Sequence, residues 1–265
     1  MSMLRIESLG TGTTLQDRGR FGLASVGVPR AGAVDRVSWG RANRLVGNAG
    51  DAATIETHGA LVVRAIGPVV VATAEYRQTL RDGERLRVDA PPGRMWAYLA
   101  VRGGIESGPV LGSRSHDTLA GLGPAALAEG LTLAVGTDPG TDLPAEHAPT
   151  RWDRPPVRIW PGPRADWFAD PLGTLIGAHW EVSQSVSRVG VRLAAGAFRP
   201  LVDRSLSSEG LVEGAVQVTP SGEPIVMLAD HPTTGGYPVV AVVDPDDVAI
   251  VAQALPGTTL RFRLA

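Results

Sequence analysis

Leu61-Val62-Val63-Arg64-Ala65-Ile66-Gly67-Pro68-Val69-Val70-Val71-Ala72-Thr73 decides the fold class. Two short runs rich in β-branched residues flank Gly67-Pro68. Val and Ile suit a half-buried pleated surface, while Gly-Pro interrupts any regular ladder, so the stretch reads as strand, turn, strand. Outward from it, residues 95–101, 131–135, 157–160, 224–228 and 238–243 repeat the pattern, each bounded by Gly, Pro or Asp. Arg81-Asp82-Gly83-Glu84 carries an Asp-Gly hairpin signal.

Two helices are expected against these many strands. The first spans 35–46, with Val34, Val37, Ala42, Leu45 and Val46 near one face and Gly47-Asn48 closing it. The second begins with Asp244 as cap and Pro245 at the first helical position. Asp246 and Asp247 then sit where the helix dipole favours anions, and Pro256-Gly257 ends it. Many strands with few helices imply a mainly β fold of closed or sandwiched sheets, not a doubly wound one. Proline density marks 137–156 as an extended linker, dividing the chain into β-rich halves at 1–136 and 157–265 that could pack as one domain. His147 falls in that linker and reads as solvated.

Composition excludes several function classes. Glycine (33) and proline (21) make up about a fifth of the 265 residues, and aromatics only 5%, so aliphatic side chains must fill the core. The absence of cysteine removes disulfides, thiol nucleophiles and cysteine zinc sites. All 25 basic residues are arginine, so the chain offers no Schiff base, no phosphate-loop lysine and no biotinyl-lysine. A net charge of −2 argues against nucleic acid as a partner. No apolar run is long enough for a bilayer, and Met1-Ser2-Met3-Leu4-Arg5-Ile6-Glu7 lacks a signal-peptide core, so a cytoplasmic protein is expected.

Ala229-Asp230-His231-Pro232-Thr233-Thr234-Gly235-Gly236-Tyr237-Pro238 packs a carboxylate, an imidazole, two hydroxyls, a double glycine and a phenol into ten residues. Gly235-Gly236 can adopt positive φ and line up backbone N–H groups as an anion nest, and the competing reading is a tight turn capped by Asp. Arg188 and Arg192 lie on one side of a possible strand, where they could clamp an oxyanion or simply face solvent. The glycine-rich segment before Asp35 resembles a phosphate loop only loosely, and Asp35 is most simply a helix N-cap. The five histidines have no zinc-type spacing, so no metal site is expected; His231 alone adjoins other reactive groups. No G-x-S-x-G elbow is present.

Several of these segments together resemble the biotin-dependent carboxyltransferase-related family, which contains allophanate hydrolase subunit 2, Kip-type protein A and the 5-oxoprolinase C subunit. The motifs are Thr-Leu-Gln-Asp-Arg-Gly-Arg (14–20), Gly-Val-Pro-Arg-Ala-Gly-Ala-Val-Asp (27–35) and Ala-Asn-Arg-Leu-Val-Gly-Asn (42–48). Next come Ala-Val-Arg-Gly-Gly-Ile (100–105), Leu-Gly-Ser-Arg-Ser (111–115), Pro-Gly-Pro-Arg-Ala-Asp-Trp-Phe (161–168) and Ser-Arg-Val-Gly-Val-Arg-Leu (187–193). Ser-Glu-Gly-Leu-Val-Glu-Gly-Ala-Val-Gln-Val (208–218) and the 229–238 segment complete the series. The chain departs from the family at Pro232, where Gln is usual, and is short around the linker and Ala197-Phe198-Arg199.

The resemblance implies cyclophilin-like β-barrel units and a hetero-oligomeric 5-oxoprolinase complex. In that complex the chain would work with the A and B subunits, the latter a Kip-type inhibitor homologue, to open 5-oxo-L-proline to L-glutamate using ATP and Mg²⁺. Nucleotide could sit on this chain, on the B subunit or at their seam. The alternatives are a urea- or allophanate-type carboxyltransferase, its biotin carried elsewhere, and a non-catalytic Kip-type regulator. Residue type and family motif together assign Asp230, His231 and Tyr237 to catalysis, Asp230 as base or Mg²⁺ ligand and the other two as proton donors. Arg188, Arg192, Gln217, Thr233, Thr234, Gly235, Gly236, Asp17, Arg20 and Asp35 are the expected substrate- or phosphate-binding set.

Overall fold

A computed structural model describes residues 2–145, 152–194, 198–202 and 205–265. His147, Ala197 and the linker stretch 146–151 lie outside the described residues. The chain forms two compact units, Met1–Phe21 with Ala31–Arg151, and Gly22–Arg30 with Trp152–Ala265. Gly22–Arg30 thus groups with the second unit, although chain order alone places it in the first half.

In the first unit the chain runs through β1 (Met3–Ser8), β2 (Thr14–Gln16), α1 (Arg36–Leu45), β3 (Thr54–Thr57), β4 (Leu61–Ile66) and β5 (Val69–Ala72). It continues with β6 (Arg77–Leu80), β7 (Arg85–Val88), β8 (Ala97–Val101) and β9 (Thr132–Ala134). One sheet has the order β7-β4-β1-β9, the other β2-β3-β8-β5-β6. The stretch 61–73 is indeed two strands, but β4 and β5 enter different sheets: the Gly67-Pro68 break redirects the chain rather than making a hairpin. The same holds at Asp82-Gly83, where a hairpin is expected. Gly83 does turn with φ 79°, yet β6 pairs with β5 and β7 with β4. Alternation on β4 sends Leu61, Val63 and Ala65 inward, where they meet Leu4, Ile6, Ile55, Leu99 and Val101 in one buried cluster.

Asp35 caps α1, its carboxylate accepting from the Val37 and Ser38 N–H groups. Val37 itself is 63% exposed; Trp39, Ala42 and Leu45 form the buried face instead. Residues 138–144 have no regular structure, but they are tied down. Arg102 donates to the Thr141 carbonyl and pairs with Asp138, and Arg77 donates to the Pro144 carbonyl.

In the second unit the elements are β10 (Val157–Pro161), α2 (Pro171–Gly177), β11 (Trp180–Val186), β12 (Gly190–Ala194), β13 (Glu209–Gly210) and β14 (Ala215–Val218). They continue with β15 (Pro224–Met227), β16 (Thr234–Gly235), β17 (Val239–Val243), α3 (Val248–Ala252), β18 (Thr259–Leu260) and β19 (Phe262–Leu264). Eight strands form one sheet, β18-β11-β12-β15-β14-β17-β10-β19. Its outermost strands are β18 and β19, yet only Arg261 separates them in the chain. One residue reaches only about 3.5 Å, so the two edges lie side by side and the sheet curls into a nearly closed barrel. The expected mainly β class and barrel architecture are therefore observed.

The helix at 244–256 starts later than its capping pattern implies. Pro245, Asp246 and Asp247 form a turn, and α3 begins at Val248. Asp244 folds back on the Asp246 N–H and accepts from the Trp160 indole, while Asp247 grips Arg158 through both oxygens. The three aspartates compensate Arg158 rather than a helix end.

Candidate functional site

The 229–238 segment follows β15, and its first residues, Ala229, Asp230 and His231, are buried. Arg188 lies in the β11–β12 turn, not on the strand, and is 2% exposed. It grips the fully buried Asp230 side by side, Nε to Oδ2 at 2.9 Å and Nη2 to Oδ1 at 2.8 Å, and the Asp230 N–H donates to the Arg188 carbonyl. A bidentate pair of this kind fixes the segment in register and offsets the desolvation of both charges. Arg192 is half-exposed on β12 and pairs with Glu223 at 2.8 Å. The expected Arg188–Arg192 clamp is not formed, because each guanidinium holds a different carboxylate of its own unit.

His231 is nearly buried, its Nδ1 2.7 Å from the Pro232 carbonyl. A carbonyl only accepts, so Nδ1 carries the proton and the lone pair of the neutral ring lies on Nε2. Gln217, buried on β14, donates through Nε2 to the Tyr237 carbonyl at 3.0 Å. The Thr233 carbonyl accepts the Leu211 N–H, and Thr234 and Gly235 form β16 against Glu209 and Gly210.

The anion nest is absent: neither Gly235 nor Gly236 has a positive φ. Gly235 serves close packing instead: a Cβ there would lie 2.7 Å from both Gln217 Nε2 and Leu211 Cδ1 and would displace those side-chain ends. Beside it, Arg164 and Glu209 form a paired fork. Gly236, the 44%-exposed Tyr237 and Pro238 line a cavity of about 590 Å³, with Trp167, Phe168 and Thr219 on other sides. Phe168 is braced edge-on by Phe198, which stacks on Trp180. Sequence reasoning misses Trp167, Phe168, Arg164 and Glu209 as site residues; their signal lies in the 161–168 and 208–218 motifs.

Asp17, Arg20 and Asp35 belong to the first unit and face inward. Asp17 Oδ1 accepts from Gly19 N–H and from the Ser113 and Ser115 hydroxyls, and Oδ2 from the Arg114 N–H, at 2.6–2.8 Å. Arg20 donates to the carbonyls of Val110 and Ser115. Asp35 is held by α1, and its own N–H donates to Tyr98 Oη at 2.8 Å. Tyr98 in turn donates to Glu56 Oε2 at 2.7 Å. Burial, with the Glu56 and Asp35 carboxylates close by, pushes the Tyr98 phenol well above its ordinary value. All three predicted residues thus hold loops and a helix start rather than lining a pocket. Asp35 already occupies the Val37 and Ser38 amides, so those two N–H groups are not open to a phosphate.

Magnesium does not fit Asp230, whose two oxygens are both held by Arg188. Among the described residues no three His, Asp or Glu side chains gather as a metal site, and no described helix is long and apolar enough to cross a membrane.

Residues 26–264 match the sequence model described as carboxyltransferase domain, subdomain A and B. The chain is 33% identical over 280 residues to the 5-oxoprolinase C subunit of Escherichia coli, covering 98% of this chain and 90% of that protein. Urea amidolyase of Saccharomyces cerevisiae is 27% identical over 96% of this chain, which spans only 16% of that enzyme. The crystal structure of TTHA0988 matches with a TM-score of 0.88 and 32% identity, over 99% of this chain and 55% of that one. The relatives are enzymes or parts of them, and the observed barrel, motif order and full-length match agree: the chain belongs to the carboxyltransferase family of subdomain A and B.

Proposed function

We propose that this chain is the C subunit of an ATP-dependent 5-oxoprolinase, which opens 5-oxo-L-proline to L-glutamate together with its A and B subunits. One observation carries the reading: the 33% identity to the Escherichia coli protein runs through 98% of this chain and 90% of that one. The second-unit cavity supports it, being of a size that takes a small metabolite and bringing the Ser205, Thr219 and Tyr237 hydroxyl residues into an otherwise apolar lining.

A lactam is a poor electrophile, and ATP supplies activation by taking up its carbonyl oxygen as a phosphoryl ester. The reading assigns nucleotide and magnesium to the assembled complex, and no step on this chain runs through them. Tyr237 at the cavity wall donates a proton to the ring nitrogen as water adds to the activated carbonyl carbon, phosphate leaves and the C–N bond breaks; His231 is buried outside that lining and takes no proton in this step. Gln217 holds the Tyr237 backbone, and the Arg188–Asp230 pair holds the segment that carries both residues.

The test is 5-oxoproline-dependent release of ADP and glutamate from the three-protein complex, each component omitted in turn. Turnover should require this chain, and Tyr237→Phe should lower kcat about a hundredfold with assembly intact. Full turnover without the chain overturns the reading. The urea amidolyase match and the family description favour one second reading, carboxyl transfer from a carboxybiotin borne by another chain. Avidin-sensitive carboxylation of an amide substrate by the complex would establish it.

A further inference from the structure

Three sequence blocks that the proposed reaction leaves unused, 42–48, 100–105 and 111–115, converge on a second cavity. It lies wholly within the first unit and measures about 380 Å³. Asn48, Asp51, Gly103, Gly104, Glu106 and Arg114 are among its walls. Gly103 and Gly104 take φ of 88° and 75°, and a Cβ on Gly103 would meet the Gly136 carbonyl at 2.4 Å. Gly103 is therefore needed for the 103 and 136 backbones to pack against each other, and that packing fixes this wall of the cavity.

Several arginines of this unit are neutralised within it. Arg64, Arg85, Arg87, Arg94 and Arg102 each lie 2.5–2.8 Å from a carboxylate. Arg114 does not. Its backbone N–H is fixed by Asp17, and its Nε donates to the Ser107 carbonyl at 2.9 Å. Its two terminal nitrogens meet no acceptor among the described residues, and the side chain is half-buried. Asp51 and Glu106 line the same cavity, are exposed, and form no ion pair among the described residues. One guanidinium and two carboxylates thus face a shared space without neutralising one another.

A ligand that satisfies all three carries both signs. Phosphate would answer Arg114 but repel the two carboxylates, and a simple amine would leave the guanidinium fork unused. We propose that this cavity binds an α-amino acid, its carboxylate forked on Arg114 and its ammonium held by Asp51 and Glu106. The inference concerns equilibrium binding by this chain alone and does not rest on the oxoprolinase reading.

Titration calorimetry of the full chain tests it with L-alanine, L-glutamate, propionate, ethylamine and inorganic phosphate. Both amino acids should saturate the site and bind more tightly than propionate, ethylamine or phosphate. Arg114→Gln should weaken amino-acid binding roughly tenfold to a hundredfold, and Arg114→Lys should restore part of it by returning charge without the fork. Asp51→Asn with Glu106→Gln, both at exposed positions, should weaken amino-acid binding, strengthen propionate binding by removing like charge, and leave the melting temperature unchanged. That variant keeps the test valid if Arg114→Gln disturbs folding. No saturable binding of either amino acid, tighter binding of phosphate, or affinity indifferent to both variants would each overturn the proposal.

Discussion

Asp17 in the first unit and Asp230 in the second are both buried carboxylates that lock a loop, but they are stabilised in opposite ways. Asp17 sits in a cage of neutral donors, two hydroxyls and two backbone amides, which solvate the charge as water would. Among the described residues, Asp230 is gripped by the Arg188 cation in a two-point fork. A neutral cage can lose one donor and still hold its anion. An ion pair cannot lose a partner without stranding a buried charge. The first arrangement distributes a loop's stability over many neutral bonds, and the second leans on a charged fork.

The contrast breaks most visibly at Arg188. Arg188→Met should cost about 3–5 kcal/mol by denaturant unfolding, because it strands Asp230, and Arg188→Met with Asp230→Leu should recover most of that loss. A double variant as unstable as the single would mean that the pair does more than compensate charge. Asp17→Asn should cost less, about 2 kcal/mol, since only the oxygen facing the Arg114 N–H becomes a donor where an acceptor is needed. Equal losses at the two sites would remove the distinction.

A third group sharpens the comparison from the neutral side. Tyr98 stays protonated in the fold because burial and the Glu56 and Asp35 carboxylates disfavour phenolate. Its folded pKa lies above the unfolded one, so the stability it contributes is complete below about pH 10 and is lost as pH rises beyond it. With no lysine in the chain to titrate in that range, alkaline unfolding should report tyrosine chiefly, and Tyr98→Phe should flatten the decline of stability above about pH 10. An unchanged alkaline limb would exclude Tyr98 as its source.

The smallest effect is expected at Asp247. Burial acts to raise its pKa, but the Arg158 guanidinium and N–H outweigh this and hold it below the ordinary carboxylate range. Its contribution is present above the unfolded pKa near 3.8 and is lost as pH falls further. Arg158→Gln should therefore shift acid unfolding slightly upward in pH; no shift would show that the pair adds nothing measurable.

Local chemistry made some of this architecture readable. The 61–66 and 224–228 runs announce strands because their side chains fit only a pleated surface. The Asp35 cap and Gly47 stop bracket α1 because both act within one helical turn. Val37 misled because a helix face is chosen by what packs on it, and Trp39 took the buried place. The hairpin at Asp82-Gly83 misled in the same way, since a turn records a change of direction and not which strand lies beside the next one.

Within the sites, residue types were legible and partners were not. Arg188, Asp230 and Asp17 could be singled out as chemically able. That Arg188 would grip Asp230, while Asp17 would fasten the loop carrying Arg114, depends on residues 42 and 97 positions apart. The sequence by itself determined the mainly β class, the helix start at Asp35, the family, and the exclusion of thiol and lysine chemistry, because those follow from side-chain identity and near neighbours. Only the tertiary structure decided which charges are neutralised internally and which remain for a ligand, because a charge is cancelled by whatever lies within a few ångströms of it, and chain order does not record that distance.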